Sequence, residues 1–271
     1  MARLKKKNII IYIVIGIILF IAVSPIAWMV ISSFKSRVDI ISYPPKFIFS
    51  PVLENYARIL ARETLLRSIK NSLTVVLASL SLGFIFGVPT AYVFARLSFR
   101  GNADLRFFVL TLRFMPPVAV VIPFFILWLR LRLLDRVPSL IVTYLLITIS
   151  VMIWLTIECF KRVPIEYEEA ALLEGCTQFQ IFYKIALPIT LPSLLGMTIF
   201  TFILIWNEFF LAFVLTSSRA ITMPVASAAF AVVGMEVPWG QICASITLLS
   251  IPPFILAYFF SKFLPYFFKV R

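Results

Sequence analysis

Long apolar stretches separated by short polar segments dominate this 271-residue chain. Six of them are nearly free of charged residues and reach the length of about 20 residues that a helix needs to cross roughly 30 Å of hydrocarbon. The predicted spans are residues 8–33, 71–95, 107–129, 137–158, 188–215 and 240–261. The pattern therefore predicts an all-α, polytopic membrane protein with one transmembrane domain over residues 1–271.

Two polar segments are longer than simple connections between spans. Residues 34–70 form the larger one, in which residues 53–70 are rich in Arg and Leu and are expected to form an interfacial helix. Residues 161–188 form the other, between the fourth and fifth spans. We expect the first segment outside the cell and the second in the cytoplasm.

The segment 161–188 carries the signals of a helix-turn-helix. Pro164 suits a first helical turn, and the acidic residues that follow it are favoured there by the helix dipole. Gly175 can end this helix in a left-handed conformation, and Thr177 with Gln180 has the pattern of a capping box for a second one. Pro188 is expected to close the second helix. We call residues 164–188 the elbow.

Composition removes most soluble and catalytic alternatives. The chain is 62% hydrophobic, 14% charged and has a mean hydropathy of +1.03, which is not the composition of a water-soluble globule. It has no His, and its three Cys are isolated, so His-based catalysis and a Cys/His metal site are excluded. The sequence therefore predicts no catalytic residue and no metal site.

The net charge of +13 is distributed along the edges of the spans. Basic residues before the first span and after the last favour cytoplasmic N- and C-termini by the positive-inside rule. Attraction to anionic lipid accounts for the charge better than nucleic-acid binding does.

The elbow contains a pattern of seven residues with fixed spacing. Its members are Glu169, Ala170, Ala171, Gly175, Ile185, Leu187 and Pro188. This pattern resembles the cytoplasmic signature of the membrane permease subunits of binding-protein-dependent ABC importers. Three further segments are similar to maltose-type carbohydrate permeases: Ala91-Tyr92 with Ala95-Arg96, Met115-Pro116-Pro117, and Trp206-Asn207-Glu208.

The resemblance implies a type I ABC importer permease in a prokaryotic cytoplasmic membrane, with the seven signature residues coupling it to an ATPase. The implied partners are a dimer of cytoplasmic ATP-binding subunits, a second permease that is a different chain, an extracytoplasmic solute-binding protein, a sugar or oligosaccharide, and membrane lipid. The chain has no Gly-x4-Gly-Lys-Ser/Thr phosphate loop, so ATP and Mg²⁺ are expected on the partner ATPase, and no cofactor on this chain.

Six residues are candidates for the substrate pathway: Arg113, Pro116, Pro117, Trp206, Asn207 and Glu208. Arg113 lies near membrane depth, where it is either functional or extends to the headgroups. Prolines that interrupt a span are tolerated beside a cavity, but they also fit a kink against neighbouring helices. Polar groups beside aromatic rings suit a sugar, although an interfacial aromatic belt with a paired carboxylate has the same composition.

Two other functions are compatible with a polytopic chain. A secondary transporter driven by an ion gradient would be expected to carry acidic or His residues deep in several spans, and here only Glu208 and Arg113 come close. A membrane enzyme acting on lipid would need clustered carboxylates, for which residues 166–174 are the sole candidate. The spacing of the signature fits docking better than catalysis.

Overall fold

The computed structural model describes residues 2–230 and 237–268. In chain order the helices are α1 Ala2–Ser33, α2 Arg37–Ile41, α3 Glu54–Leu60, α4 Glu63–Arg96, α5 Asn102–Phe114, α6 Pro117–Arg130, α7 Val137–Lys161, α8 Glu166–Leu173, α9 Gln178–Ile181, a π-helical turn Phe182–Ala186, α10 Leu187–Trp206, α11 Phe210–Leu215, α12 Met223–Ala229 and α13 Trp239–Phe268. The described residues contain no β-strand. The all-α class predicted from the sequence is confirmed.

Five helical stretches are long and apolar enough to cross a membrane by themselves. They are Ile11–Ser33, Glu63–Arg96, Val137–Lys161, Gln178–Trp206 and Trp239–Ser261. The remaining predicted span, 107–129, corresponds to α5 and α6, which meet at a bend of 89°. With this bent pair counted as one span, the described chain has six.

The bend follows from two consecutive prolines. Pro117 begins α6, and Pro116 at its N-cap has no N–H with which to continue the ladder of α5. A residue before proline is also pushed out of the helical region, and Met115 accordingly has φ −62° and ψ 127°. The helix therefore stops at Phe114 and restarts in another direction.

The second span starts earlier than the sequence predicted. The expected interfacial helix over residues 53–70 is divided: α3 ends at Leu60, and α4 begins at Glu63. A turn between the two is closed by hydrogen bonds from Arg62 N to Ile59 O (3.1 Å) and from Leu65 N to Arg62 O (3.0 Å). Residues 63–70 therefore belong to the long helix rather than to a separate interfacial one.

The described chain forms two compact units, Met1–Leu66 with Ala226–Ile251, and Arg67–Val225 with Pro252–Arg271. The second unit contains the core, in which residues of α4, α7 and α10 such as Ala91, Met152, Phe160 and Leu194 are fully buried. Helices α5 and α10 both pack on α7. Helix α7 is therefore the central helix of this unit.

Helix α4 approaches α7 closely through two glycines. A Cβ atom on Gly87 would lie 3.0 Å from Cβ of Met152, and one on Gly83 would overlap the side chain of Thr148. Small residues four positions apart allow helices to pack at short distance inside a membrane. The two helices are thus held together by tight packing.

The prediction that Pro188 closes a helix is wrong. Helix α9, the π-helical turn and α10 form one continuous helical stretch, Gln178–Trp206. Pro188 lies in the first turn of α10, and the N–H of Leu187 bonds to the carbonyl of Phe182 in the wider π pattern. A π turn of this kind accommodates a proline that cannot donate to the ordinary ladder.

Candidate functional site

The elbow folds as a short helix, a tight turn and the start of a long helix. Gly175 has φ +85°, the left-handed conformation expected of a helix-ending glycine. Thr177 Oγ1 accepts from Gln180 N (3.3 Å), and the Gln180 side chain accepts from Thr177 N (2.8 Å). The turn and the capping box predicted from the sequence are both confirmed.

The outer face of the elbow exposes acidic and large apolar side chains together. Glu169 and Ala170 are exposed on α8, and Leu173 at its end is 91% exposed. Phe179, which follows the turn, is 74% exposed. Large apolar side chains left exposed on a polar segment are typical of a surface that another protein covers. We call these four residues the outer face.

The signature residues do not all lie on that face. Gly175 and Pro188 are also exposed, but Ile185 and Leu187 are half-buried and Ala171 is buried. Ala171 is 5% exposed and lies on the inner side of α8. The seven signature residues are therefore divided between exposed positions and positions packed inside the elbow.

A buried ion pair ties the inner side of the elbow to α4. Arg96 Nε donates to Glu168 Oε1 (2.8 Å), and Tyr92 Oη donates to Glu168 Oε2 (2.9 Å). Arg96 also donates through Nη2 to the carbonyl of Val163 (2.6 Å). The side chains of Arg96 and Glu168 are only 10% and 8% exposed. We call Tyr92, Arg96 and Glu168 the root cluster.

Aromatic rings complete the packing around the root cluster. The ring of Tyr92 lies edge-on to Phe160 of α7, with centroids 5.3 Å apart, and 5.0 Å from Phe182 of the π turn. Aromatic pairs of this kind stabilise the packing beyond the contribution of the apolar area that they bury. Phe182 also lies 6.2 Å from Phe160, so the inner side of the elbow contacts α4 and α7 at one place.

The sequence alone does not reveal this contact between Glu168 and α4. In the sequence, Tyr92 and Arg96 stand out only through the resemblance to carbohydrate permeases, and Glu168 is one of several acidic residues that follow Pro164. The available signal was an Arg at the end of one apolar span and a surplus of acidic residues in a nearby helix. Which of three neighbouring Glu residues would be buried could not be predicted without the direction of α8.

The second candidate region, at residues 206–208, is a break in the fifth span. Glu208 Oε2 accepts from Tyr144 Oη (2.7 Å), and its carboxylate also accepts from the N–H groups of Leu211 (2.8 Å) and Ala212 (3.2 Å). The Glu208 carboxylate therefore caps the first turn of α11 and is paired with Tyr144 within its own chain. Trp206 is 2% exposed and stacks on Phe202, whereas Asn207 is exposed.

The remaining pathway candidates lie at the bend between α5 and α6. Arg113, Pro116 and Pro117 are all exposed there. Among the described residues, no hydrogen bond or ion pair joins Arg113 to Glu208. The six candidates thus form two separate groups. Among the six, only Arg113 and Asn207 have an exposed polar side chain.

Asp135 lies just before α7, at the end of that helix away from the elbow, and binds residues 217–220 there. It has φ +57°, and its carboxylate accepts from the backbone N–H groups of residues 217–220 at 3.0–3.2 Å and from two Ser hydroxyls at 3.0 Å. Partial burial alone would raise the pKa of Asp135, but these hydrogen bonds outweigh it and hold that pKa well below its ordinary value. We call this arrangement the Asp135 clasp.

A cleft of about 440 Å³ lies in the first unit, between α2, α3 and the start of α13. Arg37, Arg58 and Trp239 line it, and Gly240 packs so closely on the side chain of Asn55 that a Cβ there would lie 2.5 Å from Asn55 Oδ1. Within the described ranges, no group of His, Cys, Asp and Glu has the arrangement of a metal site.

Residues 83–266 match the family model described as binding-protein-dependent transport system inner membrane component. A probable ABC transporter permease of Sinorhizobium fredii is 34% identical over 248 residues, which cover 92% of this chain and 89% of that protein. The trehalose/maltose transport system permease protein MalG of Thermococcus litoralis is 31% identical over 267 residues, covering 94% and 93%.

Solved structures share the fold. A chain of a bacterial ABC transporter involved in the import of the acidic polysaccharide alginate has a TM-score of 0.78 and 23% identity, with 96% of each chain covered. A chain of the MetNI methionine ABC transporter has a TM-score of 0.62 and 17% identity, covering 75% of this chain and 96% of that one.

Proposed function

Because the chain belongs to the family of binding-protein-dependent transport system inner membrane components, and is thus a membrane permease subunit of an ABC importer, we propose that it carries a sugar or oligosaccharide inward and is driven through its elbow. The chain itself is not an enzyme, since the subunits of this family form the membrane pathway. The ATPase is a separate chain.

A saccharide is favoured by the names of the relatives. The trehalose/maltose permease aligns with this chain along nearly its whole length. A diacetylchitobiose uptake permease of Streptomyces coelicolor aligns over 88% of it at 29% identity. Both names describe importers of small saccharides, so a di- or oligosaccharide is the substrate class to test first.

The outer face of the elbow carries the coupling proposal. It combines a carboxylate at Glu169 with exposed apolar side chains at Leu173 and Phe179, and Ala170 lets a partner approach the backbone of α8. A groove in an ATPase that presents an Arg or Lys and an apolar floor would match this face. Binding and closure of that ATPase would then move α8 as a rigid body.

The order of spans supports a cytoplasmic elbow. If α5 and α6 together cross once, four crossings precede the elbow and six precede the C-terminus. The N-terminus, the elbow and the C-terminus then share one side of the membrane, and the basic N-terminus assigns that side to the cytoplasm. ATP and Mg²⁺ would bind there, on a dimer of ATPase subunits.

The same topology puts residues 34–70 and the cleft beside Trp239 on the outside. This segment has seven Lys/Arg and three Asp/Glu, an unusual excess of positive charge for an outer segment. We propose that an extracytoplasmic solute-binding protein docks here by an acidic surface. A companion permease of different sequence would complete the pathway, of which the exposed Arg113, Pro116, Pro117 and Asn207 are the candidate lining.

A secondary transporter is not favoured by the family or by the site. Such a transporter needs an ionisable group that is free to take up a proton or Na⁺. The deep carboxylate of Glu208 instead accepts three hydrogen bonds within its own chain, from Tyr144, Leu211 and Ala212.

The function can be tested on the assembly purified from its own membrane in mild detergent. We expect an ATPase, a second permease and a soluble receptor to accompany the chain, and the receptor to bind a labelled di- or oligosaccharide but not methionine. Glu169→Lys should release the ATPase, whereas Glu158→Lys, a charge reversal at an exposed site on α7, should retain it. Receptor binding of an amino acid alone, or an intact assembly with Glu169→Lys, would contradict the proposal.

A further inference from the structure

The root cluster lies behind the surface proposed for the ATPase, and Arg96 and Tyr92 lie outside the signature altogether. We propose that Glu168, Arg96 and Tyr92 form the link that makes α4 follow the elbow, so that they are positioning residues for energy coupling and not docking residues. The inference rests on the proposed function, because it requires a motor that moves α8.

The geometry of Arg96 explains why this link is stiff. One planar guanidinium bonds the carboxylate of Glu168 on α8 and, through another nitrogen, the carbonyl of Val163 in the segment that leads into α8. Helix α8 cannot pivot about this leading segment without breaking one of the two bonds. A Lys at this position would keep the charge but has no fork with which to hold both groups.

Burial makes separation of the pair unfavourable at any stage of a transport cycle. Both side chains are about nine-tenths buried, and removing one partner would leave an uncompensated charge away from water. A buried pair contributes little net stability relative to apolar residues, because desolvation offsets the attraction. Its value here is geometric, since it fixes α8 against α4 in one arrangement.

The connection continues from α4 into the core. Gly83 and Gly87 bring α4 into close contact with Thr148 and Met152 of α7, and α7 in turn packs on α10. A displacement imposed on α8 therefore reaches α4 at Arg96 and passes to α7 through packing that has little free space.

Two adjacent carboxylates would then have different tasks. Glu169 is exposed and faces a partner, whereas Glu168 is 6% exposed and faces α4. Loss of Glu169 should weaken association with the ATPase. Loss of Glu168 should leave association intact and separate the movement of the elbow from that of α4.

The test measures whether α8 and the end of α4 move as one body. In the complete importer, with its native Cys residues replaced, spin labels are attached at the exposed positions Ser98→Cys and Tyr167→Cys, the latter on α8 but not part of the outer face. The distance between the labels is recorded without nucleotide and after trapping with ATP and vanadate. The variants are Glu168→Gln, Arg96→Lys and Tyr92→Phe, and the control is Glu166→Gln, an exposed residue of the same helical turn.

We expect the parent and Glu166→Gln to give one distance that does not change with nucleotide. In Glu168→Gln and Arg96→Lys the distance should shift with nucleotide while the ATPase remains bound, with a smaller shift in Tyr92→Phe. If the cluster had only a structural role, the distance between the labels would not change with nucleotide in these variants. An unchanged distance in Glu168→Gln and Arg96→Lys importers that still bind the ATPase would therefore overturn the proposal. Release of the ATPase by Arg96→Lys would also overturn it, because the cluster would then act in docking. If the parent itself binds no ATPase, the proposed function fails instead.

Discussion

Replacing Asp135 by Asn tests the clasp at the end of the second unit that lies away from the elbow. The substitution preserves size and tolerates the positive φ of 57°, since Asn is one of the residues that adopt this region readily. It removes the charge and turns one acceptor oxygen into an NH₂ group, which faces N–H and O–H donors of residues 217–220. The change in stability therefore reports the contribution of the carboxylate and not of side-chain size or backbone strain.

The magnitude follows from the number and setting of these bonds. A hydrogen bond to a charged group contributes about 1.5–3 kcal/mol when it is shielded from water. Asp135 is partly exposed, so water can replace several of its bonds, and we expect a total loss of about 1–3 kcal/mol rather than the sum over six donors. For a domain of this size the apparent melting temperature should fall by roughly 2–10 °C.

The pH dependence of the stability difference between the parent and Asp135→Asn gives a second, independent test. Because the pKa of Asp135 is lower in the folded protein than its ordinary value of 3.8, its contribution is fully present above that value and is lost as the pH falls through the lower, folded pKa. The difference in melting temperature between the parent and Asp135→Asn should therefore be constant near neutral pH and shrink below about pH 4.

The assay is thermal unfolding in detergent, followed by intrinsic fluorescence at several pH values. Glu158→Gln is the matched control, because it removes an exposed carboxylate whose partner Lys161 is also exposed, and a surface pair of this kind contributes less than about 1 kcal/mol. Equal melting temperatures for Asp135→Asn and the parent at pH 7, or a difference that grows on acidification, would refute the reasoning.

Three further substitutions test the fold around the proposed site. Gly87→Leu should lower stability by about 1–3 kcal/mol, because its side chain would collide with Met152, and the melting temperature measures it; an unchanged value would contradict the close packing of α4 on α7. Thr177→Ala should remove about 1 kcal/mol of capping and increase amide exchange in residues 178–181, and unchanged exchange would argue against the capping box. Tyr144→Phe should cost about 1 kcal/mol by removing the bond to Glu208, with no loss of ATPase binding; release of the ATPase would contradict the assignment of Glu208 to a structural cap.

Local chemistry was enough to predict several features of the elbow. Only Gly adopts φ +85° at little cost, and the pair Thr177 and Gln180 satisfies two N–H groups that no helix can satisfy internally. These are short-range effects, and they can be inferred from residue types and spacing. The positions of the apolar spans follow in the same way from length and hydropathy.

Features that depend on distant contacts could not be predicted. Pro188 would end an isolated helix, but the π turn and the packing of α10 on α7 keep the chain helical through it. Three Glu residues begin α8, and only its packing against α4 buries Glu168 and leaves Glu169 exposed. Similarly, the double proline predicts an interruption but not the angle of 89°, because α5 packs on α7 and α6 packs on α11, contacts that are distant in sequence.

Photo-cross-linking from the elbow tests most directly whether a cytoplasmic ATPase drives this permease there. A photoreactive residue replaces Leu173, which is 91% exposed on the outer face, and a second variant carries it at Leu131, an exposed position in the connection between α6 and α7. In native membranes we expect Leu173 to cross-link the ATPase and Leu131 not to do so. Cross-links from Leu173 to a protein outside the cell, or equal yields of ATPase adduct at both positions, would contradict the account.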